Sequence, residues 1–81
     1  MKKLWIAFFE RIYALERSLD LTEQGHYVNL EPPERVFDFI DHVGSFLVQY
    51  GALRYEDIEE ARRLATQYAD RLEQVVSKYG R

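Results

Sequence analysis

The stretch PERVFDFIDHVGSFLVQY, residues 33–50, constrains the chain most, because it is apolar around more of its circumference than one neighbour can cover. Wound as a helix at about 100° per residue, Val36, Phe37, Phe39, Ile40, Val43, Phe46, Leu47, Val48 and Tyr50 spread over an arc of about 200°. Glu34, Asp38, Asp41, His42, Ser45 and Gln49 hold the remaining face. A peripheral helix shows a stripe little wider than about 100°. Residues 33–50 therefore read as a central helix with partners on two sides.

Two further helices supply those partners. Over residues 3–20, Trp5, Phe8, Ile12, Leu15 and Leu19 recur at alternating spacings of three and four, and Leu4, Ile6, Phe9 and Tyr13 widen the seam to about 200°. Glu16 interrupts this face between Phe9, Ile12 and Leu19, where an unpaired carboxylate is costly, so a hydrogen-bond or ionic partner is expected for it. Over residues 55–79, Ile58, Ala61, Ala65, Tyr68, Leu72, Val75 and Tyr79 keep the same spacing with a narrower arc of about 140°. Glu56, Asp57, Glu59 and Glu60 crowd its first turns, where the helix dipole favours negative charge.

The connections agree with this reading. Residues 21–32 contain the turn formers Gly25 and Asn29 and break the period, so they read as a loop, with Tyr27, Val28 and Leu30 as an apolar lid over one end. Pro32 and Pro33 suit a first helical turn, where amide hydrogens lack intrahelical acceptors. Gly51 has the position of a C-terminal cap, and the short turn after it makes helices two and three antiparallel neighbours. Gly44 costs about 1 kcal/mol of helix propensity, which close approach of another backbone would offset. The expected fold is an all-α, up-down-up three-helix bundle in one domain, residues 1–81, with Ile12, Leu15, Phe39, Ile40, Val43, Leu47, Ala65, Tyr68 and Leu72 buried.

Composition narrows the functional classes. A chain of 81 residues buries only about 60% of the surface its unfolded form exposes, so its core must be efficient or shared. The absence of cysteine excludes disulfides, thiolate zinc sites and thiol nucleophiles, and is compatible with the cytoplasm. Net charge −3 disfavours nucleic acid as the main partner. The acidity is local: residues 21–50 carry Arg35 against Glu23, Glu31, Glu34, Asp38 and Asp41. Lys2 and Lys3 precede Leu-Trp-Ile-Ala-Phe-Phe, but Glu10 and Arg11 end that apolar run too early for a secretory core or a membrane span.

No chemistry stands out. Glu23 with His26 and Asp38 with His42 are acid–histidine pairs, yet the first falls in the expected loop and the second on a polar face, whereas di-iron bundles require inward-facing ligands. No phosphate loop or serine nucleophile context is present. No catalytic, cofactor-binding or metal residue is assigned. The sequence reads as a small non-enzymatic protein acting through protein contacts, an accessory or regulatory factor that first associates with itself as a homodimer. Trp5, Phe9, Phe37 and Phe46 are the rings that three helices leave uncovered, and Glu16 joins them as a candidate contact. A nucleic-acid-binding regulator, or a regulator of a nucleic-acid enzyme, is the second class; a helical enzyme or metal protein is the third. A membrane partner is disfavoured.

Overall fold

In the computed structural model, which describes residues 2–26 and 28–79, the chain forms three helices running up, down and up. Helix α1 spans Lys2–Glu23. Helix α2 is composite, with α-helical Pro33–Phe39, a π-helical turn at Ile40–Gly44 and α-helical Ser45–Tyr50. Helix α3 spans Tyr55–Tyr79.

α1 continues three residues beyond its expected end, and the loop shortens accordingly. Gly25, at φ +94°, closes the helix: its amide donates to the Thr22 carbonyl at 3.0 Å and the His26 amide to the Leu21 carbonyl at 2.9 Å. That is the pair of bonds of a Schellman cap. Gly51 repeats it at φ +89°, with Gly51 and Ala52 amides bonded to Val48 and Leu47 carbonyls at 3.1 and 2.8 Å, as its position in the sequence implied. Arg54 caps α3, its amide donating to the Asp57 carboxylate at 2.9 Å, half of a capping box.

The core joins Phe8, Phe9, Ile12, Leu15 and Leu19 of α1, Val36, Ile40 and Leu47 of α2, Leu53 of the turn, and Ala61, Leu64, Ala65, Tyr68 and Val75 of α3. Ile12, Leu15, Ile40, Leu47, Ala65 and Tyr68 are thus buried as expected, while Phe39 and Leu72 pack against the core partly exposed. The Tyr79 side chain lies outside the described residues. So does Tyr27 of the expected lid. Leu30 packs on the core, and the Tyr68 hydroxyl donates to the Glu31 carbonyl at 2.6 Å, fastening the loop to α3.

Val43 is the correction: it was expected in the core and is 38% exposed. An α-helix would stack Val36, Ile40, Val43, Leu47 and Tyr50 on one face. The π turn takes up one residue more than an α turn, so the side chains around it lag behind their α-helical positions, although Leu47 still reaches the core. Gly44 comes inward in place of Val43, and Val43 and Tyr50 turn out beside Phe46. Gly44 fits because it has no β-carbon. One placed there would collide with Cδ1 of Ile58 and lie 3.6 Å from the Phe8 ring.

Candidate interaction surface

The residues proposed for contacts divide between two helices and two environments. On α1, Trp5, Phe9 and Tyr13 stack one turn apart, with centroids 4.8 Å between Trp5 and Phe9 and 6.0 Å between Phe9 and Tyr13. Phe8 meets Phe9 edge-on at 5.3 Å. These neighbours leave Phe9 only 3% exposed, so the expectation of an uncovered ring fails there. Trp5, 41% exposed, is the lid of that ladder. Phe37 is half-buried against the core.

Phe46 is different. It is 62% exposed, and its ring lies parallel to that of Tyr50, itself 59% exposed, at 6.2 Å and 11°. Val43 continues the stripe toward the π turn. Sequence reasoning placed Val43 and Tyr50 among inward residues, because the helical wheel assumes 100° throughout. The available signal was the spacing Val36, Ile40, Gly44, two consecutive steps of four ending on glycine. Beside the stripe, a groove of about 740 Å³ runs between α2 and α3, walled by Ser45, Val48 and Gln49 on one side and Tyr55, Ile58, Glu59 and Arg62 on the other.

Glu16 is half-buried and forms no hydrogen bond or ion pair among the described residues, so of the two sources expected for its partner, the bundle or another chain, the described bundle supplies none. Its nearby cation, Arg63, is already engaged: Nε and Nη2 donate to both Glu60 carboxylate oxygens at 3.0 and 2.6 Å. That fork holds the Glu60 carboxyl below its ordinary range and raises the Arg63 guanidinium, with Glu16 and Tyr13 as weaker contributors to Arg63. The α1 carboxylate therefore sits in the field of a cation committed elsewhere.

Other charges tie helices together. Arg71 of α3 donates to Asp20 and Glu23 at 3.0 and 2.7 Å, and these two carboxylates raise its own pKa. Both acids lie in the last turns of α1, where the helix dipole disfavours them and a cation offsets the cost. Arg62 pairs with Asp41, and Arg11 bonds Glu31 at 2.8 Å while its guanidinium lies 4.7 Å over the Phe39 ring.

Neither acid–histidine pair forms a two-carboxylate or metal-like cluster. Glu23 faces Arg71, and His42 Nδ1 donates to the Asp38 backbone carbonyl at 2.9 Å, where the hydrogen-bond ladder approaches the π turn. Among the described residues no three His, Cys, Asp or Glu side chains converge on a cation position. None of the described helices is long and apolar enough to cross a membrane. No protein-family model, curated protein or solved structure matches the chain.

Proposed function

We propose that the chain is a non-enzymatic cytoplasmic protein that acts through protein contacts, as an accessory or regulatory factor, and that its first contact is with a second copy of itself. The observation that carries this reading is the exposure of Phe46 and Tyr50 as a parallel ring pair beside Val43. Each large apolar side chain left in water forgoes about 1.5–3 kcal/mol of burial. With Trp5 and Val43 included, the total approaches the roughly 5–15 kcal/mol that holds a domain together. A surface of that cost is kept for a partner, and a two-fold homodimer is the commonest arrangement. The cysteine-free composition suits a reducing compartment.

A nucleic-acid role has less support. Arg11, Arg62, Arg63 and Arg71 each hold a carboxylate and offer no continuous basic stripe. Sedimentation equilibrium at micromolar concentration tests the self-association: a dimer mass is expected, and a monomer mass across that range overturns it. Affinity capture from the native host, followed by mass spectrometry, then identifies any further protein that the dimer serves.

A further inference from the structure

The homodimer proposed above leaves open which surface forms it, and α1 and α2 both present rings. We infer that the contact is α2 against α2 of the second copy, across a two-fold axis, with Phe46 at its centre and the Val43–Phe46–Tyr50 stripe of each copy seated against the other's groove. This rests on the homodimer reading and adds the face.

The charge pattern selects α2. No Asp, Glu, Lys or Arg occurs between Asp41 and Arg54, twelve residues in a chain that is otherwise 31% charged, and no other stretch so long is free of charge. Interface cores are depleted in charge and enriched in Tyr and Phe, and this gap contains two of the exposed rings, Phe46 and Tyr50. A two-fold contact sets each patch against its own copy, so a patch that carried charge would face like charge. The acidic first half of α2, with Glu34 and Asp38, would repel in that way. The neutral stretch does not. At its edge Asp41 is already paired with Arg62.

Area and shape select a second copy. The accessible surface is 5955 Å², whereas a compact monomer of 9.7 kDa exposes about 5,100 Å². The excess of about 850 Å² is close to the ~800 Å² that each partner loses in a standard interface. It arises from elongation, 43 × 19 × 16 Å, a shape that buries area best by lying lengthwise against another rod. The stripe is a ridge and the neighbouring groove between α2 and α3 is a recess on the adjacent face, which is the self-complementary pairing that a two-fold axis requires.

α1 is the weaker claimant. Trp5 already covers the buried Phe9, so its partial exposure is that of a lid whose underside is occupied.

The test is sedimentation equilibrium of the full chain and of Phe46→Glu and Trp5→Glu, with helicity followed by circular dichroism. The expected result is that Phe46→Glu raises the dimer Kd by about 30-fold or more, the loss of one central anchor, while its helicity is unchanged and Trp5→Glu still dimerises. A dimer that survives Phe46→Glu overturns the assigned face and leaves the homodimer standing; a monomeric parent chain overturns both. If Phe46→Glu does not fold, single cysteines in this cysteine-free chain decide instead. With a short bismaleimide, Gln49→Cys should cross-link into dimers and Gln74→Cys on α3 should not; the reverse result overturns the inference.

Discussion

Gly44 of α2 faces Ile58 of α3 so closely that a β-carbon on the glycine would overlap the Ile58 δ-methyl group. The contact sits at the end of the π turn, where a β-carbon would require Ile58 to move and a large side chain would press on Phe8 of α1 as well.

A double-mutant cycle tests that reading. Gly44→Ala gains about 1 kcal/mol of helix propensity and gives back about 0.5–1.5 kcal/mol as Ile58 leaves its rotamer, so a net change near zero is expected. Ile58→Val removes the obstructing methyl group. In that background Gly44→Ala should stabilise by about 0.5–1 kcal/mol, measured by urea unfolding. Gly44→Leu should destabilise by about 1–3 kcal/mol through overpacking against Phe8 as well.

Tyr68 anchors the loop before α2. Removing its hydroxyl in Tyr68→Phe should cost about 0.5–1.5 kcal/mol, because the Glu31 carbonyl loses its donor. Burial, and then the negative charge of Glu31, raise the phenol above its ordinary 10.0. The folded state therefore holds the proton more tightly than the unfolded chain. The stability this supplies is complete below about pH 10 and is lost as pH rises through the elevated folded value. Thermal melts from neutral to alkaline pH should show a decline that is smaller in Tyr68→Phe.

The Arg71 bridge holds the last turns of α1 on α3. Its groups are one-third to one-half exposed, so Arg71→Ala should cost no more than about 1 kcal/mol. Because the attraction is screened, the difference between parent and variant should narrow in ~1 M salt. A salt-independent loss would assign the effect to packing of the arginine stem.

Glu16 has no direct partner among the described residues, so neutralising it should change little. Glu16→Gln is expected to alter unfolding free energy by less than about 0.5 kcal/mol. A loss of about 1.5–3 kcal/mol, the scale of a hydrogen bond to a charged group, would show that the carboxylate is bound, and loss of the dimer with it would place that partner on the second copy.

The helices, their order and most of the core were legible in the residues because local signals agreed. Spacing of three and four set the seams of α1 and α3, Gly51 ended α2, and Pro32 with Pro33 opened it. The end of α1 was misjudged because Gly25 was read as a turn alone, when its left-handed conformation caps a helix that runs through Glu23. Of the rings expected to lack cover, Phe46 is exposed and Phe9 is not, since a wheel counts how wide an apolar arc is but not which neighbours on the same helix cover it.

The sequence alone determined that three amphipathic helices must share one core, because periodicity and capping are properties of neighbouring residues. Which face of α2 meets that core was decided only by tertiary contact. The π turn ends where Gly44 packs closely on Ile58 and Phe8, and its lag turns Val43 and Tyr50 toward solvent beside Phe46. Helical periodicity cannot encode that choice, since it follows from the fit of side chains on three separate helices.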